Sequence, residues 1–243
     1  MRPGNWRDLR VDVASPSAVH TLIERERPGA VLYVAYSSAD RAITVDGARA
    51  AAKAAASLGA RFLLTSTDLV FDGRTGNCSE LVPATPIMPY GRMKIEAEAA
   101  VRDAAPGAVI LRPSLFVGES GIMMQPVYEC GSLMRGQPVN LYTDEWRSPV
   151  FVDDVARACW DLVSGEVSGT FHLGGPERLS RIELGRLVCR IFRFDERLIH
   201  EAARPEDRPR DTSLDSRRLA NLLGWQARSI TSLAKPNLAA SGV

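Results

Sequence analysis

Two groups of side chains in the first half of the chain have the chemistry that a reactive carbonyl requires. The hydroxyl run Thr65-Ser66-Thr67 follows an apolar segment, and Tyr90 is followed four positions later by Lys94. Residues four apart on a helix lie one turn from each other on the same face. The ammonium group of Lys94 is therefore expected to lower the pKa of the Tyr90 phenol, which is about 10 in water. The pattern predicts proton transfer to a carbonyl oxygen that also accepts a hydrogen bond from a nearby hydroxyl.

The spacing of the tyrosine and the lysine is specific in this composition. The chain has five tyrosines and three lysines among 243 residues, so chance gives about 0.06 such pairs. The alternative is that Tyr90 only packs at the start of a helix, after Pro89, and that Lys94 is a surface residue. The hydroxyl run, which lies between a strand and this helix, favours the chemical interpretation.

The elements around these residues alternate between strands and helices. Apolar runs predict buried strands at residues 30–35, 61–66 and 109–111, with helices between them at residues 46–58 and 90–104. Such alternation with short connections is typical of an α/β fold with a parallel, doubly wound sheet that has helices on both faces. Ligands of such sheets bind at the carboxyl ends of the strands, where the hydroxyl run lies.

The remainder of the chain is less regular. Ser15 and Pro16 predict a helix start, and further helices are predicted at residues 153–163, 179–192 and 213–223, with a strand at 170–173. The segment after Gln226 has little amphipathic pattern and is expected to be poorly ordered. The predicted division is a core of residues 1–113, onto which 149–165 pack back, and a smaller substrate lobe of residues 114–148 and 166–243.

Composition and charge exclude several classes of partner. The net charge is +1, which predicts no nucleic-acid or acidic-membrane partner, and no apolar run approaches the roughly 18 residues that span a membrane. The four cysteines and three histidines are scattered, which predicts reduced thiols in a cytoplasmic protein and no metal site. Acids are interleaved with the arginines of residues 204–210, so a solvated loop is favoured there, although an anionic substrate could use one of these arginines.

Several motifs together resemble the extended short-chain dehydrogenase/reductases, and most closely the dTDP-4-dehydrorhamnose reductase family. The resemblance runs in order from about residue 12 to residue 225, and its motifs lie at residues 65–73, 89–94, 111–114, 147–156, 171–176 and 208–215. It implies a Rossmann-like core with a small carboxyl-terminal substrate lobe. It also implies NADP or NAD as cofactor, and reduction of a 4-keto nucleotide sugar.

The resemblance implies a role for individual residues. Thr67 is implied as the hydrogen-bond donor to the carbonyl, Tyr90 as the proton donor, and Lys94 as the residue that holds the nicotinamide ribose. Cofactor contacts are implied for Asp12, Val13, Ala35, Tyr36, Ser66, Tyr90, Lys94 and Pro113, and substrate contacts for Ser114 and Arg147.

The chain departs from this family in two places. The family begins with a strand, a glycine-rich phosphate turn, a helix and a second strand, whereas this sequence matches from about the third strand onward. We therefore expect an amino-terminally truncated version, with weakened cofactor binding or as a piece of a longer protein, because the turn supplies several hydrogen bonds to the pyrophosphate. In the second place, Thr44 stands where the family usually has asparagine.

These departures leave alternatives open. A catalytically weak or inactive regulatory subunit, similar to that of methionine adenosyltransferase, would keep the fold and bind a partner protein. Epimerisation or dehydration of a nucleotide sugar would use the same tyrosine and lysine. The sequence carries no signal for a homo-oligomer, for the choice between NAD and NADP, or for the identity of the sugar.

Overall fold

The computed structural model describes residues 7–118 and 127–234. The helices are α1 (Pro16–Glu26), α2 (Ala48–Ser57), α3 (Pro89–Ala104), α4 (Val127–Met134), α5 (Val152–Ser164), α6 (Arg181–Phe192) and α7 (Arg217–Leu223). The strands are β1 (Ala30–Tyr33), β2 (Arg61–Thr65), β3 (Val109–Pro113), β4 (Phe116–Val117), β5 (Val139–Tyr142), β6 (Trp146–Arg147), β7 (Val150–Phe151), β8 (Gly169–Leu173), β9 (Leu179–Ser180) and β10 (Ile199–Ala202). Short helical turns lie at Ala42–Gly47, Asp68–Val70, Glu196–Leu198 and Ile230–Ala234.

A parallel sheet with the strand order β1-β2-β3-β8 forms the centre of the described structure. Leu63 of β2 is in register with Val109 of β3, and Leu111 of β3 with Phe171 of β8. The expected α/β fold is confirmed. One part of the expected domain division is wrong, because β8 was assigned to the substrate lobe and is instead a strand of the central sheet. The other boundaries of that division stay a prediction.

Helices cover both faces of this sheet, because successive side chains of a strand point to opposite faces. Phe62 and Leu64 of β2 pack against α1, α2 and α3 in one apolar layer. Leu63, between them in sequence, packs in the other layer with Leu111 and with α5. Both layers contain fully buried leucine and alanine side chains. The doubly wound arrangement is therefore confirmed.

Local signals explain where the helices begin. The Ser15 hydroxyl accepts a hydrogen bond from the amide of Ala18, with Pro16 in the first turn of α1, as predicted. Two other starts differ from the prediction. Helix α6 begins at Arg181, because Leu179–Ser180 is a strand and Ser180 caps the helix. Helix α7 begins at Arg217, because Leu214 pairs with Cys78 in an extended bridge.

The segment after Gln226 is ordered as far as the structure describes it. Ile230 is 1% exposed, and the Arg228 side chain donates to the Asp154 carboxylate at 2.8 Å. The expectation of poor order is therefore wrong for residues 227–234, and the remaining residues lie outside the described ranges. Within those ranges no helix is both long enough and apolar enough to cross a membrane.

We predict that Gly91→Ala destabilises the protein, although alanine is the better helix former by about 1 kcal/mol. A Cβ at Gly91 would lie 2.1 Å from the backbone oxygen of Leu69, so α3 or the Asp68–Val70 turn would have to move. Overpacking of this kind costs about 1–3 kcal/mol, which lowers the Tm by several degrees. Thermal and urea unfolding measure the effect.

Gly107→Ala is the matched control, because a Cβ there meets nothing within 4 Å. It is expected to leave the free energy of unfolding close to that of the parent protein. If Gly91→Ala were as stable as the parent or more stable, the close approach of α3 to Leu69 would be wrong.

Candidate active site

A cavity of about 610 Å³ opens at the carboxyl ends of β1, β2 and β3. It has the size of a small-molecule site. Eight of the residues singled out in the sequence line it together: Tyr36, Ser66, Thr67, Tyr90, Lys94, Pro113, Ser114 and Arg147. The remainder of the wall is apolar where β1 and α5 contribute to it, with Leu32, Val34, Val155 and Cys159 among its residues. Side chains from distant parts of the sequence therefore meet at one edge of the sheet.

A hydrogen bond between Lys94 and Thr65 joins helix α3 to the end of β2 at the wall of this cavity. The Lys94 side chain is 2% exposed, and its ammonium group donates to the backbone oxygen of Thr65 at 2.5 Å. The interpretation of Lys94 as a surface residue is therefore wrong. One turn earlier on the helix, the Tyr90 ring lies 5.8 Å from the ring of Tyr36, centroid to centroid. The hydroxyl of Thr67 accepts from the amide of Leu69 at 3.2 Å and so caps the short turn after β2.

The electrostatics of Tyr90 differ from the expectation. Burial raises the pKa of Tyr90, the nearby Tyr36 and Asp68 raise it further, and Arg147 lowers it. The expected lowering by Lys94 is wrong, because burial dominates at both residues. Burial lowers the pKa of Lys94 itself to about 8, against an opposing effect of Glu98. Near neutral pH the phenol therefore keeps its proton and is available as a proton donor.

A buried carboxylate, Glu98, lies one turn beyond Lys94 on α3. It is 0% exposed and accepts hydrogen bonds from Ser66 Oγ at 2.6 Å, from Arg112 Nε at 2.9 Å and from Arg102 at 2.9 Å. Burial alone raises the pKa of Glu98, but the hydrogen bonds and charges of these partners hold it below its usual range. The hydroxyl of Ser66, an expected cofactor contact, is thus directed to Glu98.

A second buried carboxylate, Asp68, fixes Arg147. It is 0% exposed and accepts from Arg147 Nε at 2.6 Å and from Ser114 Oγ at 2.8 Å. The pair joins the turn after β2 to β6. Arg147, an expected substrate contact, therefore reaches the cavity wall while two of its nitrogens bond to Asp68.

Two further arginines, Arg181 and Arg208, line the cavity. Arg181 was not identified from the sequence, whereas Arg208 belongs to the run of residues 204–210, for which a contact to an anionic substrate was left open as the less favoured alternative. Glu145, which is 0% exposed, accepts from Arg208 Nε at 2.7 Å, and its nearest oxygen lies 3.8 Å from the Arg147 guanidinium. Burial alone raises the pKa of Glu145. The arginines Arg208, Arg147 and Arg181 lower it by more, so that it lies below its usual range. The solvated-loop interpretation of residues 204–210 is wrong for Arg208. In the sequence, the acids interleaved with these arginines favoured a solvated loop, so the buried contact of Arg208 with Glu145 was not predicted.

Three expected cofactor residues lie away from this cavity. Asp12 closes a turn before α1 by accepting from the amide of Ala14 at 3.0 Å, while Val13 and Ala35 pack at the border of the α1–α2–α3 layer. Their proposed contacts stay a prediction. Thr44 is fully buried, and its hydroxyl donates to the Ser37 backbone oxygen at 2.8 Å, so it fixes the loop that follows Tyr36.

The described histidine, cysteine and acidic side chains form no group of three that could hold a metal ion. Cys78 and Cys159 are buried free thiols, and Cys189 is buried as well. The side chain of Cys130 lies outside those that the structure describes. Burial raises the pKa of Cys159, which lines the cavity, to about 11, so this thiol keeps its proton near neutral pH.

Comparison with known proteins identifies relatives over most of the chain. The chain is 35% identical over 173 residues to a Haloferax volcanii protein named "Probable low-salt glycan biosynthesis reductase Agl14"; the match covers 67% of this chain and 58% of that protein. It is 27% identical over 239 residues to methionine adenosyltransferase 2 subunit beta of Bos taurus, covering 88% of this chain and 70% of that one. The chain thus spans less than two thirds of the length of Agl14.

Solved structures share the fold. A dTDP-4-dehydrorhamnose reductase from Bacillus anthracis, in complex with NADP, superposes with a TM-score of 0.80 at 21% identity, over 92% of this chain and 84% of that chain. The model of the RmlD substrate binding domain family matches residues 5–240. The chain therefore belongs to the RmlD substrate binding domain family, the dTDP-4-dehydrorhamnose reductase type that its motifs resemble.

Proposed function

We propose that this protein reduces a 4-keto nucleotide sugar with NADPH or NADH. The observation that carries the proposal is that Thr67, Tyr90 and Lys94 line one cavity at the carboxyl ends of the parallel strands. The name of the relative Agl14 as a reductase and the NADP in the Bacillus anthracis structure support the same reaction class.

The residues fit the nicotinamide end of a dinucleotide. The Lys94 ammonium is buried at the cavity wall, where it suits the hydroxyls of a ribose, and the apolar wall formed with Leu32 and Val155 suits a flat ring. The bound dinucleotide would supply the hydride. In our proposal Tyr90 donates its proton to the carbonyl oxygen, Thr67 hydrogen-bonds the same oxygen, and Lys94 holds the ribose.

The arginines of the wall define the other half of the substrate. Arg147, Arg181 and Arg208 come from separate elements and meet around Glu145. Arginine carries five N–H donors in a fork that suits phosphate oxygens. We propose that they bind the diphosphate of the nucleotide sugar, which places the sugar between them and Tyr90.

The relative named methionine adenosyltransferase 2 subunit beta supports a second candidate. A protein of that kind would bind a partner without turning over a sugar. Epimerisation or dehydration of a nucleotide sugar remains a third candidate, distinguished by products that form without net oxidation of NADPH. Size-exclusion chromatography of the protein with a methionine adenosyltransferase, together with assays for turnover, separates the candidates.

We predict that Tyr90→Phe lowers kcat for reduction of a dTDP-4-keto-6-deoxy sugar by about 100-fold or more, because positioned acid catalysis contributes roughly 10²–10⁴-fold. The measurement is NADPH and NADH oxidation at 340 nm with single-turnover kinetics. Tyr142→Phe is the matched control, since Tyr142 is not among the residues of the cavity wall. The reductase proposal fails if the parent protein oxidises neither cofactor, or if Tyr90→Phe is as active as the parent.

We predict that Arg208→Gln raises KM for the nucleotide sugar by about 10-fold or more, because charge-assisted hydrogen bonds contribute about 1.5–3 kcal/mol. The effect on kcat is expected to be smaller, since the diphosphate is far from the reacting carbon. Arg208→Lys keeps the charge and should regain part of the affinity.

Arg210→Gln is the control for this prediction, because Arg210 is exposed and stacks on Trp146 outside the cavity wall. The Tm of each variant shows whether the protein stays folded when Glu145 has lost the guanidinium of Arg208. An unchanged KM in folded Arg208→Gln would contradict the diphosphate assignment.

A further inference from the structure

Glu98 is not among the residues that line the cavity, but it is connected to two that are, Lys94 and Ser66. It lies four positions after Lys94 on α3, and its carboxylate accepts hydrogen bonds from Ser66, directly after β2, and from Arg112 of β3. Arg112 is itself 6% exposed and bonds both carboxylate oxygens, at 2.9 and 2.7 Å. Such a bidentate pair has a single geometry, so Glu98 has a fixed position relative to the sheet.

Thr65, the last residue of β2, and Ser66 directly after it are thereby bonded to two consecutive turns of α3. Thr65 accepts from Lys94 through its backbone oxygen, and Ser66 donates to Glu98 through its hydroxyl. Rotation or sliding of the helix would break both bonds, and the buried Lys94 ammonium and the buried Glu98 carboxylate would each lose a hydrogen-bond partner. The connection therefore fixes the helix that presents Tyr90 against the strand that leads to Thr67.

The charge of Glu98 also acts on Lys94. The Lys94 ammonium bonds to the Thr65 backbone oxygen of β2, and Tyr90 and Glu98 lie one turn to either side of Lys94 on α3. Burial favours the neutral amine, and the charge of Glu98 is the influence that opposes it.

We propose that Glu98 is a positioning residue of this site: it holds Lys94 in its charged form and fixes α3 against the end of β2. The role of Lys94 toward a dinucleotide rests on the proposed function, whereas the effect of Glu98 on Lys94 does not. The two can therefore be tested separately.

Nuclear magnetic resonance of lysine labelled with ¹³C at Cε tests the proposal without any substrate. The chain has three lysines, at positions 53, 94 and 235, so Lys94→Arg identifies the Lys94 signal by its loss. In the parent protein the Lys94 signal should titrate with a midpoint near 8. In Glu98→Gln we expect the midpoint to fall by about half a unit to one unit, because an attractive charge has been removed.

Glu96→Gln is the matched control, because it removes the same charge from the exposed side of the same helix, where Glu96 pairs with Arg41. Its Lys94 midpoint should equal that of the parent. An equal midpoint in Glu98→Gln and Glu96→Gln would overturn the proposal.

Glu98→Gln leaves Arg112 buried opposite a neutral group, which can prevent folding. Two further variants keep the test decisive in that case. Glu98→Asp retains the charge and should keep the Lys94 midpoint within about 0.3 unit of the parent. The double variant Glu98→Gln/Arg112→Met removes both buried charges and should still show a lowered midpoint; an unchanged midpoint there would likewise overturn the proposal.

Dinucleotide affinity as a function of pH links the result to the site. In the parent, binding of NADPH or NADH should weaken as the pH rises through about 8, where Lys94 loses its proton, and in the Glu98 variant the decline should begin at lower pH. If the midpoint of Lys94 moves but the parent neither binds nor oxidises a dinucleotide, the reductase function fails and the role of Glu98 stands. If turnover occurs but the Lys94 midpoint does not move, the proposed role of Glu98 fails and the reductase function stands.

Discussion

The opposite charges of Lys94 and Glu98 lie one helical turn apart in the interior between α3 and the sheet, and both side chains are almost completely buried. Burying a charge costs several kcal/mol unless it is paired and hydrogen-bonded. Here the partners belong to the end of β2 and to β3: the Thr65 backbone oxygen bonds Lys94, and the hydroxyl of Ser66, directly after β2, and the Arg112 guanidinium of β3 bond Glu98. Helix α3 can satisfy all of them in only one rotational setting. The position of Tyr90, one turn before Lys94, follows from that constraint.

Two further buried carboxylates, Asp68 and Glu145, fix the arginines of the cavity wall. Asp68 belongs to the turn after β2, and its partner Arg147 belongs to β6. Glu145 accepts hydrogen bonds from Arg208, in the loop before α7, and lies beside Arg147. An ion pair therefore attaches β6 to the end of the central sheet, and a second one attaches the loop before α7 to the residue before β6. A ligand of this cavity would contact groups whose positions these pairs determine.

Sequence patterns predicted features that depend on short segments of the chain. They failed for features that depend on contacts between distant residues or on burial. The β2 strand, helix α3 and the spacing of Tyr90 and Lys94 were predictable, because a helical period and an apolar run are properties of short segments. Arg181 and Arg208 reach the cavity only through tertiary folding, so no sequence signal indicated Arg181, and for Arg208 a contact to an anion was left only as the less favoured alternative. The pKa of Tyr90 was predicted in the wrong direction, because proximity to Lys94 is visible in a sequence and desolvation is not. Strand β8 was misassigned for a related reason: its partner β3 lies 60 residues earlier.

Two parts of the cavity wall differ in character. Leu32 of β1, Val34 directly after this strand and Val155 of α5 are apolar, whereas β6, α6 and the loop before α7 contribute three arginines. Arginine guanidinium groups favour phosphate oxygens, and an apolar surface favours a flat, weakly polar ring. Tyr90 lines the same cavity and keeps its proton near neutral pH because it is buried. Under the function proposed above, the arginines and the apolar residues would bind chemically different parts of the ligands. That division follows from the distribution of charge in the wall, and it requires no contact specific to a particular sugar.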